Sequence, residues 1–253
     1  MFDRNTWVLV ISASLLSLLC VLESTRYLPL ISVISNALNL ADTMFHELGH
    51  SLFAWLFGMP SIPSIMTLFG ADKVGGLTLS FERQLVLQLA SLAGLGYLCY
   101  RLWKAWSPFF LPTLFLSVVV LLLALTDYYT TLISYMGHGT SILMGGFFLF
   151  RSLVNLHARH AFERWLNALF GSFLVFDNFM FSFGLAFDHF RRQAYSGWIE
   201  GVGHNDFVKI SNDVHGLQIS HVAIVTMVLC VITIGVAFFQ AVRYQASRTI
   251  ITE

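Results

Sequence analysis

Apolar runs long enough to cross a lipid bilayer constrain the fold of this chain more than any other feature. The hydrocarbon core needs roughly 20 residues of helix, and on that ruler the sequence divides into about seven spans. They cover residues 7–22, 30–57, 84–103, 109–126, 138–154, 165–187 and 217–240. The second run exceeds the need of a perpendicular helix, so it is expected to tilt or to begin as an interfacial stretch after Pro29. The runs are continuous and do not alternate, which argues against a strand-built barrel. Composition agrees: 57% of residues are hydrophobic and 11% charged, whereas soluble domains are about a quarter charged. The expected fold is an all-α polytopic membrane protein, set in a bacterial-type cell membrane, with a short strand-like segment at the membrane edge.

The first run is expected to be a retained span, because Asp3 accompanies Arg4 ahead of it and "ESTRYLPL" follows it without a small-residue cleavage site. Lys and Arg form no basic stripe and the formal net charge is zero, so nucleic acid is not an expected partner. They also divide almost evenly between the two sides of the spans, which leaves the orientation open. Cys20, Cys99 and Cys230 are far apart in apolar runs and read as buried hydrophobes.

Two connections are more than turns. Residues 59–83 hold two prolines, a Gly-Gly and short β-branched pieces, the signature of an extended or hairpin segment. Residues 188–215 are the most polar stretch and carry His189, His204 and His215. No repeat or linker divides the chain, so residues 1–253 read as one membrane domain.

The second run holds ionisable groups where hydrocarbon is expected: "MFHELGH", with His46, Glu47 and His50. Burying such groups costs free energy that something must offset. His46 and His50 are four apart, so on a helix they share one face. Two neutral imidazoles at that spacing can hold Zn²⁺, and Glu47 beside them can take a proton from water. Gly49 allows close approach of another backbone. Asp42, one turn earlier, reads either as the acceptor for the other nitrogen of His46 or as a helix cap.

HELGH within an apolar helix resembles the site-2 protease family of intramembrane zinc metallopeptidases. The glycine-rich "LFGADKVGGLTL" and the small-residue helix "LASLAGLG" agree with that family in outline, and the resemblance covers about residues 40–150. It implies zinc held by His46 and His50, Glu47 as general base, and cleavage of peptide bonds within or beside the membrane helices of a protein substrate. It also implies that the 59–83 segment pairs with an extended substrate. The family completes its site with an aspartate in an Asp-Gly motif, and this chain has no Asp-Gly dipeptide.

A catalytic zinc takes three protein ligands. The candidates for the third are His138, Asp127, Asp177, His204 and Asp206. His138 is favoured: glycines flank it in "MGHGTS", and "GHGTSILMGG" stands where the family places its Asp-Gly helix. The other histidines carry weaker signals, His157 and His160 at an interfacial connection and His221 as a helix contact. Two further readings are compatible with HELGH: a zinc hydrolase of lipid amides or esters, and a metal-binding membrane protein without turnover.

Overall fold

The computed structural model describes residues 2, 4–22, 28–67, 74–105, 110–156, 160–197 and 205–252. Two helices open the chain, α1 (Arg4–Val21) and α2 (Pro29–Leu56), followed by a hairpin of β1 (Ser61–Thr67) and β2 (Val74–Ser80). Then come α3 (Leu85–Lys104), α4 (Phe110–Ala124), α5 (Tyr129–Val154) and α6 (Ala161–Phe187). Two short helices, α7 (His189–Tyr195) and α8 (Asp206–Asp213), precede the long α9 (Ile219–Thr252).

Among the described residues, four helices are long and apolar enough to cross a membrane: α1, α3, α6 and the Ile219–Ser247 part of α9. This is fewer than the seven spans expected. α2 and α5 have the length, at 28 and 26 residues, but polar side chains such as Asn39, Asp42, Glu47 and His138 dilute their hydropathy. α4 has only 15 residues. α5 also begins at Tyr129 rather than at 138, so His138 lies inside a helix and not at its mouth.

α2 starts where Pro29 can serve as a first-turn residue, since proline fixes φ and needs no N–H partner there. Just beyond its end stands Gly58, whose φ of 78° suits a residue without Cβ and turns the chain toward β1. The hairpin is antiparallel, with Ser61 opposite Ser80 and Ile65 opposite Gly76. Pro63 is accommodated because a two-stranded sheet has no central strand.

α5 and α6 pack along each other at the centre, with α1 and α9 also against α6 and with α2 against α5. Ala13, Cys20, Leu38, Ala168 and Phe173 join α1, α2 and α6. Ile142, Leu149, Val175, Cys230 and Ala237 join α5, α6 and α9. Hydroxyls assist between helices: Ser17 Oγ donates to the Leu169 carbonyl at 2.8 Å, as small polar residues do where helices approach closely. The three cysteines are buried and unpaired with one another.

The polar stretch 188–215 contributes two helices. Asp188 caps α7 by accepting from the N–H groups of Phe190 and Arg191 at 2.9 and 3.2 Å. α8 buries Phe207 and Ile210 against Leu185, Val222 and Ala223. Its far end is tied to α5, where Asp213 Oδ2 accepts from Thr130 and Thr131 at 3.2 and 3.1 Å. These anchors bring the start of α8 over the middle of α2.

Candidate metal centre

His46 and His50 face the same way from α2, one turn apart, with Nε2 atoms 3.0 Å from each other. Between them stands Asp206, the first residue of α8, whose Oδ2 is 2.9 Å from His46 Nε2 and 3.1 Å from His50 Nε2. The three atoms form a nearly equilateral triangle. A tetrahedral zinc site with arms of 2.0–2.1 Å would place its donors about 3.3 Å apart, so the triangle is close to the size that such an ion requires.

The hydrogen-bonding chemistry of the set points the same way. His50 Nδ1 lies 2.7 Å from the Ile133 carbonyl, which only accepts, so Nδ1 carries the hydrogen. Nε2 of a neutral His50 is then a bare lone pair facing the Asp206 carboxylate, an acceptor against an acceptor. A cation at the centre of the triangle resolves that conflict. Burial opposes a charge on Asp206, yet the two imidazoles set against it hold its carboxyl well below the usual carboxylate range. Its Oδ1 is 3.5 Å from Lys209 Nζ, one turn along α8.

Glu47 is buried, at 6% exposure, although it lies beside the imidazoles on the same helix. The hairpin covers it. Thr78 Oγ1 on β2 donates to Glu47 Oε2 at 2.6 Å, and Gly76 lies so near Oε1 that any Cβ there would collide with it. Gly76 of β2 therefore lets a strand backbone rest directly on the carboxylate. α5 approaches from another side. A Cβ on Gly137 would stand 2.5 Å from His50 Nε2 and 2.6 Å from His46 Nε2, so only glycine lets α5 reach the imidazoles. Gly49 serves likewise, by admitting the Met136 carbonyl and Thr140 of α5 against α2.

His138, the favoured third ligand, is beside the triangle. Its ring is edge-on to that of His46, with centroids 4.6 Å apart. One nitrogen of His138, one of His46 and an oxygen of Asp206 lie within 4.8 Å of one another. Asp206 is nevertheless the group that contacts both motif histidines, although the sequence gives it no advantage over its rivals. Asp127 is exposed at the turn between α4 and α5 and is not among the residues lining the cavity. Asp177 on α6 is not among the residues lining the cavity. His204 falls outside the described residues.

Asp42 meets neither expectation. It lies well within α2, too far from the start for a cap. It makes no hydrogen bond with His46 among the described residues, and its Oδ1 is a buried oxygen with no hydrogen-bond partner. The donors of the triangle, Glu47, His138 and Asp42 all border a cavity of about 540 Å³, which is also lined by Thr78, Tyr195 and Lys209. Burial, reinforced by the charge of Asp206, pushes the Tyr195 phenol above its ordinary value, so its hydroxyl stays protonated. Thr78, Asn178 and the Ile133 carbonyl complete the site; Asn178 makes the polar contact between helices that its place in "VFDNFMF" suggests, whereas sequence reasoning missed Thr78 and Ile133, because no local pattern marks a residue that acts from another element.

No family model, no functionally characterised protein and no solved structure matches the chain. The class of chemistry rests on the site itself: two imidazoles and a carboxylate converging on one point, with a second carboxylate beside them.

Proposed function

We propose that the chain is a membrane-embedded zinc metalloprotease that hydrolyses peptide bonds within or beside the transmembrane segments of other proteins. The observation that carries this reading is the 2.9–3.1 Å triangle of His46 Nε2, His50 Nε2 and Asp206 Oδ2 with Glu47 alongside it. His46, His50 and Asp206 would hold the ion. Bound zinc supplies Lewis acidity, polarising a carbonyl and making water more acidic.

Glu47 is the general base. It takes one proton from the attacking water while the oxygen adds to the carbonyl carbon, and it passes that proton to the nitrogen as the C–N bond breaks. Thr78 holds one carboxylate oxygen, Oε2, which limits how the carboxylate can turn. The buried position strengthens these interactions by excluding water. An extended substrate laid along β2 would pass Glu47, with Leu77 and Ser80 of that strand lining the same cavity.

Membrane embedding is supported by more than the four apolar helices. At 1.5 Å per residue, α2 and α5 are about 42 and 39 Å long, enough to cross a core of about 30 Å. The helices expose large apolar side chains, among them Val86, Leu89, Phe115 and Val231, over faces that suit lipid. On this reading α2 and α5 cross with the others and carry the centre inside the bilayer.

Two substitutions test the proposal. Glu47→Gln should leave about one zinc per chain and abolish turnover, lowering the rate by a factor on the order of 10²–10⁴. Asp206→Asn should instead weaken zinc retention against a competing chelator. The readout is the set of new peptide termini found in membrane proteins of cells expressing wild type but not Glu47→Gln. Changes confined to lipid amides or esters would replace the protease with a lipid hydrolase. Zinc binding with no change that depends on Glu47 would leave a metal-binding protein without turnover.

A further inference from the structure

His138 is held in one orientation and one tautomer by α6. Asn178 Nδ2 donates to the Leu174 carbonyl at 2.8 Å, and a carbonyl only accepts, so the amide cannot be turned round. Asn178 Oδ1 then faces His138 Nδ1 at 2.8 Å and must accept its hydrogen. In a neutral imidazole this leaves Nε2 as a bare lone pair. The ring plane is fixed as well, stacked on Phe181 at 5.2 Å and packed against Phe207 at 4.7 Å.

His138 therefore shares the state of His50, whose Nδ1–H is committed to Ile133 and whose Nε2 is also bare. It belongs to a donor set with His46 and Asp206 within 4.8 Å, and those two residues are also members of the triangle with His50. Two overlapping triplets thus share His46 and Asp206, with His50 completing one and His138 the other, four candidate donors in all. Four protein donors are the pattern of a closed zinc site, whereas a catalytic site keeps one position open.

We propose that His138 is a fourth protein ligand of the same centre, so that the resting site is closed and becomes competent only when the His138 ring gives way. The inference rests on the zinc reading above and adds its regulation. Asn178 is the positioning residue: it presents the lone pair, and its hold on Nδ1 is what opening has to break or bend. The cavity that His138 borders provides space for the displaced ring.

X-ray absorption of the full-length, zinc-loaded protein in detergent, without substrate, decides the matter by counting imidazoles. Three imidazoles and no exchangeable water are expected in wild type. His138→Phe, which keeps an aromatic ring between Phe181 and Phe207, should lose one imidazole and gain a water. Asn178→Leu should lower the occupancy of the third imidazole while the other two remain. Two imidazoles in wild type would overturn the inference and leave the zinc reading intact. Failure of the folded wild type to bind zinc would overturn both. The wild-type count stands alone if either variant does not fold.

Discussion

Glu47 depends on a neighbour that is 31 residues away. Thr78 donates to its Oε2 at 2.6 Å and also lies 3.2 Å from its backbone carbonyl, so one hydroxyl on β2 fixes the carboxylate against α2. A hydrogen bond to a charged group contributes about 1.5–3 kcal/mol. Thr78→Val keeps the shape and removes the bond, so turnover should fall about 10- to 100-fold. Zinc content should not change, because Thr78 touches no donor of the triangle. Steady-state cleavage of a membrane-protein substrate, with zinc measured on the same sample, checks both halves. Loss of zinc would mean that Thr78 supports the donors rather than the base.

At the scale of elements, the centre is where α2, α5, α8 and the hairpin meet, and glycines set how near they come. Gly137 is the most exposed to test. Gly137→Ala places a methyl group 2.5 and 2.6 Å from the two Nε2 atoms, so α5 must retreat or the imidazoles must turn away. Zinc affinity should collapse even though no donor is altered; calorimetric titration would show it. Unchanged affinity would mean that α5 yields at no cost to the site. The same meeting of elements explains what could be read from the chain alone. His46, Glu47 and His50 are legible because their relation lies within one helix, where spacing dictates geometry. The hairpin is legible because Pro63 and the Gly-Gly of β2 punctuate short β-branched pieces. Asp206 is not, since its position depends on how α7 and α8 fold back, through the burial of Phe207 and Ile210 and the tie from Asp213 to Thr130 and Thr131. His138 drew attention through its flanking glycines. The α5 helix that carries it begins nine residues earlier than its hydropathy suggested, because polar Thr130, Thr131 and Ser134 in its first turns mask the start.

For the whole molecule, a bound ion would join α2 to α8, and through α8 to α5 and α9. Binding to the folded state alone stabilises by about 2.7 kcal/mol when free zinc is 100 times its Kd. Removing zinc with a strong chelator should therefore lower the thermal midpoint in detergent, and restoring zinc should recover it. Asp206→Asn should start from the lower value and respond little. A midpoint indifferent to zinc in the wild type would sever the link between metal and fold. At the ends of α5 and α1, away from the triangle, side-chain bonds join the helices directly. There Arg151 pairs with Glu163 at 2.6 Å, and Arg164 donates to the Ser152 carbonyl and Thr6 at 3.1 and 3.0 Å.

The distance in sequence between the donors has a consequence for how the protein is made. His46 and Asp206 are 160 positions apart. A ribosome adding about 5–20 residues per second finishes the histidine pair on the order of 10–30 s before it reaches the aspartate. During that interval the growing chain carries Glu47, the two motif histidines and later His138, but not the carboxylate that completes the triangle, and α8 packs on Val222 and Ala223 of α9 as well. Completion thus waits for Asp206 and for the part of α9 on which α8 packs, so on the proposed reading the nascent chain would carry no finished metal centre while its earlier helices are being made.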